Sequence, residues 1–309
     1  MKIEYSRRVN FFELLFPDFS LILLGYLLCR YTALDRPVWD KVESLSYYLL
    51  FPVLLFYSIV KTPLNMGTAS SLIGAGLSLA VSGIALSYAL PYLPWLKAHI
   101  HPRDHASSAQ IGFRFNAVIT LALAERITGA EGVPLVAILI GTCVPLFNVA
   151  AVYPMARHAG RNVIGELVKN PLILATVSGV LANLAGFVIP ALLLPTVTRL
   201  GAASLALGLL AAGAGLQLSA LARAKTLGIS LLAIRHLVSP LLAFVLARLF
   251  GLNTVQATVL MVFSAVPTAS SAYVLATRMG YPGGPVAAMV TLSTLLALLS
   301  LPFALSLVR

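Results

Sequence analysis

Residues 254–277 read TVQATVLMVFSAVPTASSAYVLAT, an apolar run interrupted near its middle by Pro267, Thr268, Ser270 and Ser271. At ~1.5 Å per residue, a helix of about 20 residues crosses the ~30 Å hydrocarbon layer of a bilayer, so the length suits a membrane span. Proline removes a backbone donor and clashes with the preceding turn, so carbonyls near Val266 lose their helical partners. In lipid those carbonyls must find water, a side chain or a ligand. A helix restarting after Pro267 would also turn free N–H groups and its positive dipole end towards an anion. Broken helices of this kind build substrate sites near the bilayer midplane; the plainer reading is a packing kink satisfied by neighbouring hydroxyls.

Working outward, nine further apolar stretches lie near 11–30, 42–61, 68–92, 107–125, 131–155, 171–190, 198–219, 226–250 and 284–307. Of 309 residues, 59% are hydrophobic and 10% charged, against roughly a quarter charged in soluble domains, and mean hydropathy is +0.94. The expectation is an all-α polytopic membrane protein of ten transmembrane helices, with residues 1–309 forming one domain. The first apolar segment contains Glu13, Pro17 and Asp18, which argues against a removable signal peptide. Formal charge is +11, but the bases stand singly between spans rather than on one face. That pattern reads as membrane topology and not as a nucleic-acid footprint. Cys29 and Cys143 each sit inside an apolar run and imply neither a disulfide framework nor a metal site.

The longest polar break, Arg157 to Asn170, divides the stretches five and five. Across it, at an offset of about 154 residues, Pro17 falls opposite Pro171 and Phe51–Leu54 opposite Leu205–Gly208. Near the same offset the Phe113–Asn116 region meets Pro267–Ser271. Because five is odd, the second half enters the membrane in the opposite sense. The expectation is an inverted repeat, with one unit at about 11–156 and the other at about 168–309. With the amino terminus outside, eleven Lys and Arg fall on the inner side and eight on the outer, the remaining two being Arg114 and Arg235. The bias places both termini outside and the Arg157–Lys169 loop inside.

Function must come from polar groups that hydrocarbon excludes. Arg114 and Asn116 lie within Gly112-Phe113-Arg114-Phe115-Asn116 in the fourth stretch. A guanidinium at that depth costs at least ~2.5 kcal/mol unless it faces protein or a watery cavity, and its planar fork suits a carboxylate. The alternative is a structural pair or a side chain snorkelling to the interface. Arg235 and His236 pose the same choice in the eighth stretch, as an ion or proton site or as structure, and their position favours structure. Asn148, Asn183 and Gln217 read as interhelical hydrogen-bond glue. Asn148 is also a candidate substrate contact, with Arg114, Asn116, Pro267, Thr268, Ser270 and Ser271. Ala211, Gly213 and Gly215 suit close helix packing.

These residues resemble the auxin efflux carrier family of membrane transporters. The resemblance rests on Phe113-Arg114-Phe115-Asn116, then Ala124-Glu125-Arg126 and Gly129; on Val144-Pro145-Leu146-Phe147-Asn148-Val149-Ala150; on Lys169-Asn170-Pro171-Leu172-Ile173; and on Pro267 to Ala276, the most specific stretch. It implies two inverted five-helix repeats whose helices four and nine are broken and cross at the substrate site. It also implies a moving unit of helices 3–5 and 8–10 against a scaffold of 1, 2, 6 and 7, commonly paired as a homodimer. Bacterial relatives are assigned to malonate, malate or similar carboxylates, and the plant branch exports auxin, also a carboxylate. The plant branch has a proline in helix four, whereas here none occurs between Pro102 and Pro134, so a break there would rest on Gly112 and Asn116.

The functional expectation is a secondary transporter, or permease, moving a small organic anion across a bacterial inner membrane by elevator-type alternating access. No cofactor, metal or nucleic acid is implied, the partners being the anion and the bilayer. A sodium-coupled symporter of the bile-acid type and a non-transporting membrane receptor or scaffold are the alternatives. An intramembrane enzyme is disfavoured, because the chain lacks His-Glu-x-x-His and Gly-x-Ser-x-Gly motifs and has few carboxylates within its spans.

Overall fold

A computed structural model describes residues 11–61, 70–160, 162–215 and 225–308, and among them it contains helices and no strand. In chain order these are α1 (Phe11–Tyr31), α2 (Arg36–Leu45), α3 (Phe51–Val60), α4 (Ser70–Ala89), α5 (Pro94–Lys97) and α6 (Pro102–Ser108). Then come α7 (Ala117–Thr128), α8 (Gly132–His158), α9 (Val163–Lys169), α10 (Pro171–Leu184) and α11 (Leu194–Ala214). The last are α12 (Lys225–Ala233), α13 (Ser239–Leu249), α14 (Thr254–Ala265), α15 (Ser271–Arg278) and α16 (Gly283–Ser306). A π-helical turn at Ser46–Leu50 joins α2 to α3, and another at Ile234–Val238 joins α12 to α13.

Helix occupies most of each of the ten apolar stretches, although not all of them qualify as crossings among the described residues. Six helices among the described residues are long and apolar enough to cross a membrane, and up to seven if α9 and α10, bent by 64° at Asn170, form one span. The first stretch contributes Ser20–Tyr31 as a shorter apolar helix. The fourth and ninth fall short because each is cut in two: α6 gives way to a 3₁₀ turn at Ala109–Gly112 before α7, and α14 stops at Ala265 before α15 restarts at Ser271.

Local chemistry explains where the helices begin. Asn170 Oδ1 accepts from the backbone N–H of Leu172 and Ile173, and Pro171 occupies the first turn, where its missing donor is harmless. Asn253 and Gln256 form a reciprocal capping box at the start of α14. The fourth-stretch break needs no proline. Asn116 Oδ1 accepts from Ile119 N–H at 3.2 Å and its carbonyl accepts from Thr120, so an asparagine caps a new helix at 117.

Two groups of helices emerge from the packing. α1 lies along α11 and α3 along α10, and α3 and α11 touch each other. The second group packs α4 on α8 and α13, α7 on α8 and α14, and α14 on α13 and α16. Small residues bring the first group close: a Cβ on Gly213 would fall 1.9 Å from the Ile22 carbonyl oxygen, and one on Gly25 2.0 Å from that of Leu210. Asn183 Nδ2 donates to the Ile59 carbonyl at 2.7 Å, the glue expected of it, while Gln217 lies outside the described residues. Cys29 and Cys143 are free thiols.

Candidate functional site

The breaks at 113–116 and 266–270 meet each other. Asn116 N–H donates to the Pro267 carbonyl at 2.9 Å, so the two irregular segments satisfy part of each other's backbone. Arg235, in the second π turn, closes the rest. Its Nε and Nη2 donate to the Val266 carbonyl at 3.0 and 2.8 Å, and Nη2 also reaches the Phe263 carbonyl at 3.0 Å. Carbonyls freed by Pro267 therefore find a side chain and a backbone N–H of the protein. Arg235 serves as a positively charged cap on the carboxyl end of α14, where cations complement the helix dipole.

His236 braces the same break from the other side. Ser300 Oγ donates to the Ala265 carbonyl at 2.8 Å, which leaves it to accept from His236 Nδ1 at 2.9 Å. Ser293 Oγ accepts from Thr268 N–H at 2.9 Å and lies 2.8 Å from His236 Nε2, to which it can donate. This pattern places a proton on Nδ1. One imidazole thus links both flanks of Pro267 to α16.

Beside the crossing lies a cavity of about 80 Å³, room for roughly two or three waters at ~30 Å³ each. Arg114, Asn116, Asn148, Ser270 and Ser271 line it. Pro267 and Thr268 do not. They act one layer back, through the backbone contacts to Asn116 and Ser293. The apolar wall is Phe51, Leu54 and Leu55 of α3, with Phe115, Val144 and Phe147 opposite. Reading the sequence did not single out the α3 residues, because nothing in an apolar run marks the side chains that face a cavity.

Arg114 is 5% exposed, and no acidic side chain lines the cavity among the described residues. Its Nη1 donates to Gln110 Oε1 at 3.0 Å and its Nη2 to Ser271 Oγ at 2.8 Å. Gln110, also missed in the sequence, in turn donates to the Ser107 and Ala272 carbonyls. Neutral acceptors thus orient the guanidinium. Among the described residues, the ion pairs are those of Arg36 with Asp40 and Glu43, so no carboxylate offsets the Arg114 charge. α7 and α15 both begin at the cavity, where Ala117 and Ser271 line it, adding their positive dipole ends.

Asn148 corrects an expectation. Far from bridging helices, its Nδ2 and Oδ1 have no hydrogen-bond partner among the described residues, although it is 1% exposed. A buried polar group left unpaired costs about 1–3 kcal/mol.

Residues 97–305 match the family described as Membrane transport protein. The chain belongs to the membrane transport protein family. This is the auxin efflux carrier family of the sequence resemblance, and the match includes every motif quoted for it. Membership makes the chain a multi-pass membrane transporter, not an enzyme. No curated protein matches the chain. Both breaks, the cavity residues Arg114, Asn116, Asn148, Ser270 and Ser271, and the Arg235–His236 brace lie inside the part that matches the membrane transport protein family.

Proposed function

We propose that the chain is a secondary transporter that moves a small organic anion, a carboxylate of the malonate or malate size, across the cytoplasmic membrane. The observation that carries this reading is Arg114, a buried guanidinium at a cavity with no acidic side chain among its described lining residues and flanked by two helix N-termini. A buried charge without a counterion is costly, and a carboxylate supplies the counterion in the geometry a guanidinium prefers. The cavity's size favours a small anion over one bearing a large ring system.

Ten crossings in two inverted five-helix units account for the packing. Exchanging the halves turns the α1–α11 pair into the α10–α3 pair and the α7–α14 contact into that of α15 with α6, and it maps the α3–α11 contact onto itself. In this reading α1, α2–α3, α10 and α11 form the scaffold, and the α4–α8 and α12–α16 helices form the moving unit. The cavity takes one wall, including Ser58, from α3, and Arg114, Asn116, Asn148, Ser270 and Ser271 from the moving unit, so sliding one past the other would carry the site across. Both termini lie outside on the lysine and arginine count.

Liposome uptake of a carboxylate panel tests the proposal. Arg114→Lys keeps the charge but loses the fork, and Arg114→Ala loses both; uptake should fall steeply in each at equal levels of folded protein. Wild-type uptake by Arg114→Ala would assign the residue to structure. Replacing sodium by potassium on both sides should leave uptake unchanged, because Arg235 already occupies the carbonyls at the break. Strict sodium dependence would favour a symporter of the bile-acid type.

A further inference from the structure

We propose that the contact between α2 and α15 is a latch, holding the moving unit to the scaffold on one side of the cavity until the site is to open towards that side; this rests on the two-unit reading above. Arg36, Asp40 and Glu43 are spaced four and three residues apart, so they share one face of α2. Tyr273 and Thr277, one turn apart on α15, both donate to the Glu43 carboxylate, at 2.6 and 2.9 Å. Arg278, at the end of the same helix, donates to the Asp40 carbonyl. α15 thus starts at the cavity, where Ser271 lines it, and is fastened to α2 along the turns that lead away. The two helices belong to different bodies: α2 packs on α11 and runs into α3, whereas α15 packs on α16. Tyr273 bridges them. Its side chain is 0% exposed, in a slot made by Gly215 at the end of α11 and Gly283 at the start of α16, where a Cβ would fall 2.5 Å from the ring. Sliding one body past the other breaks these bonds, because a hydrogen bond does not survive stretching beyond about 3.5 Å.

Glu43 is placed so that the contact can release. Arg36 pairs with it from the same helix, so departure of α15 leaves no bare carboxylate behind. Opening gives up hydrogen bonds to a charged group but creates no buried unpaired charge. The cluster is also one-sided. At the offset of about 154 residues that relates the proposed repeats, Glu43 falls opposite Val197, Tyr273 opposite Ile119 and Thr277 opposite Leu123. Those apolar side chains offer no equivalent bonds at the other end of the seam. The two end states of the sliding motion are therefore held unequally, and the latched one is the resting state. Arg36 and Arg278 are among the bases that the charge count places inside, which makes this the inner side of the seam.

Two measurements test this in a protein lacking Cys29 and Cys143. In the first, Ser270→Cys reports from the cavity, and its labelling by a membrane-impermeant thiol reagent is timed in vesicles exposing the Arg157–Lys169 side and in vesicles exposing the other. Tyr273→Phe/Thr277→Val removes both donors to Glu43 and keeps the ring in its slot. Labelling should then rise about tenfold from the Arg157–Lys169 side and not from the other, the factor expected for losing hydrogen bonds to a charged group. Equal rates with and without the two hydroxyls, or an equal rise from both sides, overturn the latch, because general loosening has no sidedness. In the second, Asp40→Cys and Arg278→Cys are joined by a short, reducible bifunctional thiol reagent in liposomes. Uptake of the carboxylate panel should fall by about tenfold or more and return when the link is reduced. Uptake that persists through complete cross-linking overturns the latch and leaves the anion reading standing. Failure of wild type to take up any acid of the panel overturns the anion reading, and the labelling measurement still decides the latch. The cross-linking result stands even where Tyr273→Phe/Thr277→Val fails to fold.

Discussion

The Tyr273 hydroxyl donates to Glu43 Oε1 at 2.6 Å, tying the half-helix that begins at Ser271 to the helix that leads into the cavity's apolar wall. Thr277 Oγ1 donates to Glu43 Oε2 at 2.9 Å, and Arg36 completes the set around a carboxylate that is 1% exposed. Glycine makes the slot for the ring, since a Cβ on Gly215 would fall 2.1 Å from the Tyr273 hydroxyl. Tyr273→Phe removes one hydrogen bond to a charged group, worth about 1.5–3 kcal/mol, and should lower the melting temperature in detergent. Gly215→Ala should cost at least as much by displacing the ring. A melting curve unchanged in both variants would show that the contact holds nothing.

Arg235 and Pro267 divide the work at the ninth-stretch break. Pro267→Ala adds back a donor, yet Val266 and Pro267 carbonyls remain held by Arg235 and Asn116. Arg235→Leu instead strands the Val266 and Phe263 carbonyls, at about 1–3 kcal/mol for each buried group left unpaired. Arg235→Leu should therefore destabilise the protein and reduce uptake far more than Pro267→Ala does. Parallel melting and uptake measurements decide it, and the reverse order would place the break's stability in the proline ring alone.

The α1–α11 contact depends on an absent side chain. Valine at Gly213 would drive its Cβ to 1.9 Å from the Ile22 carbonyl oxygen, which belongs to backbone and cannot step aside. Overpacking of this kind costs typically about 1–3 kcal/mol, so Gly213→Val should reduce the yield of folded protein. Gly186→Ala serves as the comparison: a Cβ there meets nothing within 4 Å, although its φ of +70 adds some local strain. Size-exclusion profiles of the two variants would separate a packing effect from a general intolerance of change.

Topology is tested at Asn162, which caps α9 by accepting from Gly165 N–H and lies in the polar break between the proposed repeats. In a protein lacking Cys29 and Cys143, Asn162→Cys should resist a membrane-impermeant thiol reagent added outside intact cells and react once the membrane is opened. Labelling from outside would invert the orientation read from the lysine and arginine count.

Much of the fold was legible because hydrocarbon leaves few options: a backbone in lipid must satisfy itself, so each apolar run of span length announces a helix. Asn170-Pro171 likewise announced the start of α10, since both residue types favour that end of a helix for local reasons. The break at Pro267 could be read from one residue. That at Asn116 came only from the family resemblance, because an asparagine starts a new helix there only with its backbone N–H taken by a neighbour, here the Pro267 carbonyl. With α9 and α10 counted as one span, three of the ten stretches fall short among the described residues, the first as the shorter helix Ser20–Tyr31, the fourth and ninth because split helices are too short, piece by piece, to count as spans.

By itself the sequence determined that this protein lies in a membrane, which stretches are helical, and that Arg114 and Pro267 are out of place there, since these follow from burial cost and local backbone chemistry. Only the tertiary structure decided which polar groups are already paired. Arg235 and His236 pose in the sequence the same choice as Arg114, with position favouring structure, and Phe263, Val266, Ser293 and Ser300 come from distant turns to meet them. Asn148 looks like glue and is left without a partner among the described residues. Hydrogen bonding is directional and short-ranged, so a side chain's role is set by the few atoms within about 3 Å of it, and those are assembled by the fold.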